Sequence, residues 1–255
     1  MDDLVAAAEA AADVAAAAVR PFFRRGVAAD DKADASPVTV ADRTAELAMR
    51  AVLSQRFPQH GILGEEFGVH QPDSALRWVL DPVDGTRAFI TGRPAFGTLV
   101  ALLDRGVPVL GVIDQPITGE RWVGVRGQPT RFRGEFGQAG CRPCPALDRA
   151  ELSCTSPEIF GPDQERRWRR LAGAVRRTSW GGDCYAYGLL ALGALDVIAE
   201  PGLKVWDWAA LVPVIEGAGG RMTDWAGQPL REDGDGCVLA VGDPGLLAGV
   251  VSLLA

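Results

Sequence analysis

A chain of 255 residues, 47% hydrophobic and 23% charged, can hold one large domain or two lobes over a shared cleft, without large-scale disorder. Its net charge of −7 argues against a nucleic-acid partner, because the basic run from Arg166 to Arg177 is too local to reverse it. Five cysteines, an odd number accompanied only by His60 and His70, make neither a complete disulfide framework nor a zinc site, so Cys141-Arg142-Pro143-Cys144 reads as isolated loop thiols. The acidic start, Met1-Asp2-Asp3, and Glu9 and Asp13 in the alanine run read as a helix, not as a signal peptide or membrane span. A cytoplasmic protein with no membrane partner is expected.

In chain order, alanine dominates residues 3–20 and Pro21 stops the run, which predicts a helix. Asp30 to Pro37 reads as a polar loop. Thr39 precedes a second helix over about 41–56, with Asp42 three residues on, where a capping-box acid belongs. Short strands follow at Ile62-Leu63, Arg77 to Leu80, Phe96 to Leu103, Val107 to Ile113 and Arg121 to Val125, with Gly106 and Gly119 as turns. They predict an antiparallel-rich sheet covered on one side. From Ala150 the pattern alternates: strand at Leu152–Cys154, helix near Gln164–Ala172, strand at Val175–Arg177, helix over Asp183–Leu192, strand at Leu195–Ala199, helix over Trp206–Gly217, then a last strand and helix. A boundary in the Gly/Pro-rich stretch from Gly134 to Pro145 divides the chain into an α+β lobe, 1–138, and an α/β lobe, 139–255.

The chemistry concentrates in Trp78-Val79-Leu80-Asp81-Pro82-Val83-Asp84-Gly85-Thr86. The strand should end at Asp81, since Pro82 lacks a ladder N–H, and Gly85 permits an abrupt turn into a helix. Two carboxylates forced together repel unless a cation lies between them, and oxygen-only ligands suit a hard ion such as Mg²⁺. A helix opening at Gly85-Thr86 would aim N–H groups at the same place, where a phosphate is welcome.

This run resembles the signature of the inositol monophosphatase family, Mg²⁺-dependent phosphomonoesterases. Further pieces recur in order: Lys32, Val38-Thr39-Val40-Ala41-Asp42, Gly64-Glu65-Glu66, Trp206-Asp207-Trp208-Ala209-Ala210 and Gly217-Ala218-Gly219-Gly220. The resemblance implies an α+β fold, a layered α/β/α/β/α sandwich, commonly as a homodimer, with two or three Mg²⁺ ions. It implies that Glu65, Asp81 and the Val83 carbonyl hold one ion and that Asp81, Asp84 and Asp207 hold a second. Thr86, paired with Asp42, would orient the attacking water, and the Gly85 and Thr86 N–H groups would hold the phosphate. Lys32 takes a supporting role and Glu66 points away from the metals. Asp42 and Asp207 could equally serve as helix caps.

Glu200 falls where the family places a substrate-facing acid, and Asp183 where inositol-specific members carry a small apolar residue. A second carboxylate beside the leaving group suits a cationic substrate. Gly181-Gly182-Asp183-Cys184-Tyr185-Ala186-Tyr187 and Gly202-Leu203-Lys204 resemble the histidinol-phosphate phosphatase branch, which implies hydrolysis of L-histidinol phosphate in histidine biosynthesis. A broad inositol-1-phosphate or sugar-phosphate phosphatase is the alternative, and a non-catalytic phosphate- or metal-binding regulator a remote one. A helix N-cap competes for Asp183.

Overall fold

The structure, a computed structural model, describes residues 1–26, 28–31, 37–71 and 73–255; Lys32 lies outside them. Helix α1 (Asp2–Val19) buries Ala7, Ala8, Ala11, Ala12 and Ala15, whose three- and four-residue spacing makes one stripe of small side chains. That stripe lets α2 (Val40–Arg56) come close through Ala41, Ala45 and Met49 in the same core cluster. Between them, β1 (Ala29–Asp31) and β2 (Pro37–Thr39) pair as an antiparallel ladder. Asp30, Asp31 and Pro37, expected in a loop, therefore have strand backbone.

A seven-stranded sheet follows, in the order β4-β3-β5-β6-β7-β8-β9. Its strands are β3 (Gly61–Gly64), β4 (Gly68–His70), β5 (Leu76–Asp84), β6 (Gly97–Asp104), β7 (Val107–Gln115), β8 (Glu120–Val125) and β9 (Arg131–Arg133). Only β3 and β5 run parallel. The sheet is covered on both faces, not on one. Val100 and Leu102 of β6 pack with α1 and α2, whereas Leu99, Ala101 and Leu103 pack with the opposite helical layer. The unbroken apolar run in β6 is the pattern of a strand buried on both faces.

The second sheet is mixed, ordered β11-β10-β12-β14-β13. It contains β10 (Glu151–Cys154), β11 (Arg177–Trp180), β12 (Val197–Glu200), β13 (Arg221–Thr223) and β14 (Val238–Val241). Between the sheets lie α5 (Asp183–Leu190), α6 (Val205–Trp208) and α7 (Leu211–Gly217), with Ile198, Met222, Val238 and Ala240 of the second sheet sharing their core. Outside it, α4 (Pro162–Ala174) and α8 (Leu247–Leu254) complete the layers through Trp168, Leu171, Val250 and Leu254. The order is thus α/β/α/β/α; α3 (Thr86–Ile90) leads out of β5 beside the site.

One expected helix, 206–217, is two. Pro213 is accepted in the first turn of α7, but in the interior of a continuous helix its ring would meet the carbonyl four residues back, at Ala209. The α7 layer also lies directly on the sheet: a Cβ at Gly111 of β7 would stand 2.0 Å from the Ala210 carbonyl oxygen. Two glycine-sized gaps, at Gly111 and Gly124, seat this helix.

Candidate active site

Strand β5 does not stop at Asp81. Its pairing with β6 slips between Asp81↔Leu99 and Asp84↔Gly97, so Pro82 and Val83 together face Thr98 in a bulge. The proline's missing N–H falls in the irregular stretch, and Thr98 Oγ1 donates to the Pro82 carbonyl at 2.8 Å. A regular strand would send residues 81 and 84 to opposite faces; the extra residue brings their carboxylates to one side. Asp81, Asp84 and Asp207 each offer an oxygen, and these atoms lie within 4.8 Å of one another.

Burial pushes the Asp81 carboxyl well above its usual range, and the charges of Glu65, Asp84 and Asp207 add to it. Asp84 is raised to about 7 by burial and then by Asp207, although the Cys184 N–H donates to its Oδ2 at 2.5 Å. Asp207 is also raised to about 7, by burial first and then by Glu65 and Glu200, against a donation from the Lys204 N–H. Such mutual repulsion among oxygen donors is relieved by a divalent cation, and the hard carboxylate set fits Mg²⁺. Glu65 stands outside the tight triad, and its charge is the leading one acting on Asp81. The loop that carries it is held by Glu46, a wholly buried acid that accepts from Arg50 Nε at 2.7 Å, the Glu66 N–H at 2.7 Å and the Phe67 N–H at 3.2 Å. Sequence reasoning missed Glu46; its four-residue spacing from Asp42, on a helix face otherwise apolar, was the available signal.

Capping and pairing are both present at Asp42, on different oxygens. Oδ2 accepts from the Thr39 N–H at 2.9 Å and from Thr39 Oγ1 at 2.5 Å, completing the capping box of α2. Oδ1 accepts from Thr86 Oγ1 at 3.2 Å, and the same hydroxyl lies 3.0 Å from the Val83 carbonyl. One hydroxyl proton serves one acceptor at a time, so Thr86 can turn between the carboxylate and the carbonyl. Burial raises the Asp42 pKa despite these bonds. Asp207 also caps with one oxygen, taking the Lys204 N–H at 2.6 Å.

A cavity of about 970 Å³ opens beside the triad, lined by Asp84 and Asp207 together with Asp183, Glu200 and Trp180. Asp183 is the first residue of α5; its N-cap is Gly182, and no side chain caps that helix end. The capping explanation of Asp183 therefore does not hold. Gly181, Gly182 and Asp183 all have positive φ, the last at 44°, which folds the Asp183 side chain over Gly85. A Cβ on Gly85, itself at φ 87°, would be 3.0 Å from the Asp183 carboxylate. Asp183 is raised to about 8 by burial, then by Asp84 and Glu200, with Arg93 and Arg87 partly offsetting. Glu200 is 4% exposed, and both its oxygens are engaged, Oε1 by the Thr155 N–H and Oε2 by Tyr187 Oη at 2.9 Å. It lines the cavity as a braced acid.

Residues 1–252 match the model of the inositol monophosphatase family. The chain belongs to this family. It is a phosphatase with the family's layered sandwich. The chloroplastic bifunctional phosphatase IMPL2 of Arabidopsis thaliana is 48% identical over 230 residues, which cover 89% of this chain and 66% of that protein. A histidinol-phosphatase of Chlorobaculum parvum is 38% identical, with 86% and 84% covered. A solved inositol monophosphatase from Zymomonas mobilis superposes with a TM-score of 0.90 at 52% identity, over 99% of this chain and 98% of that one. Among the described residues, no helix is long and apolar enough to cross a membrane.

Proposed function

We propose that this phosphatase is Mg²⁺-dependent and that its substrate is L-histidinol phosphate. The observation that supports the reading is Asp183: a carboxyl group set in the cavity next to the acid triad, where it would meet the alcohol portion of the ester. An ammonium or imidazolium there gains a charge-assisted hydrogen bond that a neutral polyol does not. The name of the Chlorobaculum relative supports this substrate.

Asp81, Asp84 and Asp207, with Glu65 and the Val83 carbonyl, would hold the metal. Bound there, Mg²⁺ supplies the charge neutralisation and the lowered water pKa that monoester hydrolysis needs. This chain's own residues do the rest. The Asp42 carboxylate accepts the Thr86 proton, which leaves the threonine oxygen free to accept from the attacking water and aim it. The Gly85 and Thr86 N–H groups hold the phosphoryl oxygens. Asp183 orients the cationic leaving group, and Glu200, fixed by Tyr187 and Thr155, adds a second negative charge to the cavity wall. The likeness to the Zymomonas structure favours inositol phosphate as the second reading.

A phosphate-release panel at fixed Mg²⁺ separates the two. Higher kcat/KM on histidinol phosphate than on inositol 1-phosphate or adenosine bisphosphate is expected. A preference for inositol 1-phosphate would overturn the substrate assignment and leave the phosphatase.

A further inference from the structure

Trp180 ends the edge strand β11 and leaves 47% of its surface exposed, although an indole is among the most rewarding side chains to bury. It does not hang in solvent at random. Its ring lies 4.8 Å from that of Trp168, centroid to centroid, at an interplanar angle of 33°. Trp168 is 4% exposed, packs on Phe160 at 5.2 Å and donates from Nε1 to the Ala199 carbonyl at 2.9 Å, so it is a fixed support. With its ring backed by Trp168, Trp180 lines the cavity that contains Asp183, three positions along the chain.

We propose that Trp180 is a stacking platform for a flat, cationic ring in the alcohol portion of the substrate, and hence a specificity-determining residue. The occupant follows from charge and shape together. An indole attracts cations and flat rings through its π-face, and Asp183 and Glu200 line the same cavity with carboxyl groups that an arriving cation would hold ionised. A protonated heteroaromatic ring satisfies both, whereas a polyol offers the acids only neutral hydroxyl donors and the indole no flat cation. This inference deepens the histidinol phosphate reading by assigning the ring end of the ester to Trp180.

The test compares the wild type, Trp180→Ala and Trp180→Phe on four esters: histidinol phosphate, 2-(imidazol-4-yl)ethyl phosphate, O-phosphoethanolamine and inositol 1-phosphate. Trp180→Ala should raise KM about tenfold on the two imidazole-bearing esters, the loss expected of one desolvated cation–π contact. Its kcat should hold within about twofold, since the platform is assigned to the alcohol portion and not to the phosphoryl group. Phenylalanine should restore most of the affinity, and KM for O-phosphoethanolamine and inositol 1-phosphate, which carry no aromatic ring, should stay unchanged. Equal losses on all four esters, no loss, or no rescue by phenylalanine would overturn the platform, as would losses that track a change of oligomeric state in sedimentation. If the wild type ignores histidinol phosphate while Trp180→Ala selectively weakens the imidazolylethyl ester, the substrate assignment fails and the platform stands. L-histidinol affinity read by calorimetry gives a readout independent of turnover: it should weaken about tenfold in Trp180→Ala and be largely restored in Trp180→Phe, and equal affinity in all three proteins would overturn the platform.

Discussion

Asp42 serves two hydrogen-bond systems through separate oxygens, so substitutions around it should divide stability from rate. Thr39→Ala removes a 2.5 Å charge-assisted bond and the cap on the Ala41 N–H but leaves the Thr86 contact intact. Unfolding should be easier by roughly 1–3 kcal/mol, the combined range for a lost cap and a bond to a charged acceptor. The rate should change by less than about threefold, because nothing that accepts the water's proton has been touched. Thr86→Ala does the reverse: α2 keeps its capping box, while turnover falls by about 100-fold or more. Asp42→Asn keeps only one accepting oxygen. If that oxygen stays on the Thr39 N–H, the amide faces Thr86 and the rate falls as in Thr86→Ala. On the proposal that the two residues act as one unit on the water, Thr86→Ala with Asp42→Asn should be no slower than the worse single variant. Urea melts and phosphate release on the same preparations read both quantities. Independent, multiplying rate losses, or a Thr39→Ala rate as low as that of Thr86→Ala, would refute the division.

Three further outcomes are expected. Metal-free protein should lose stability as pH rises from about 4 to 8, because Asp84 and Asp207 fold with pKa values of about 7 against a usual 3.8 and bind more protons folded than unfolded across that window. Urea melts in chelator at both ends check the sign, and stability that climbs with pH would show that the triad is not a strained acid cluster. Asp183→Gly should lower kcat/KM on histidinol phosphate by roughly 10- to 150-fold, spare inositol 1-phosphate, and move stability by less than about 1 kcal/mol, since glycine accepts the positive φ that Asp183 tolerates; equal losses on both esters would contradict recognition. Glu46→Gln should weaken Mg²⁺ binding by loosening the loop of Glu65, read by calorimetry, while leaving Thr86 and Asp42 chemistry untouched; unchanged affinity would make Glu46 a purely structural acid.

The sequence was legible where a single period or a single breaker decides the outcome. Alanine spacing and Pro21 marked α1, and Thr39 with Asp42 marked the start of α2. The apolar run before Asp81 marks β5, but a missing ladder N–H at Pro82 predicts an end at Asp81, whereas the strand continues to Asp84. A bulge tolerates proline by putting it out of ladder register, and only pairing with β6 reveals that register. The two-sided covering of the first sheet was written in the unbroken apolar run of β6, but its second cover comes from helices beyond residue 180. Pro213, within the apolar run over 206–217, divides it into α6 and α7. At the site, the triad was legible as motif residues. The bracing was not: Glu46, Tyr187 and the Cys184 N–H act through tertiary contacts across 20, 13 and 100 positions, which no local pattern encodes.

In the proposed reading, hydrolysis depends on metal held by Asp81, Asp84 and Asp207. The most direct measurement titrates Mg²⁺ into chelated protein and follows metal binding and phosphate release together, for the wild type and for Asp84→Asn. Chelated wild type should be inactive and recover with Mg²⁺ occupancy. Asp84→Asn should stay folded, bind Mg²⁺ more weakly and turn over at least ~100-fold more slowly at saturation. Full activity of the wild type in excess chelator, or an Asp84→Asn protein with wild-type metal affinity and rate, would contradict the account.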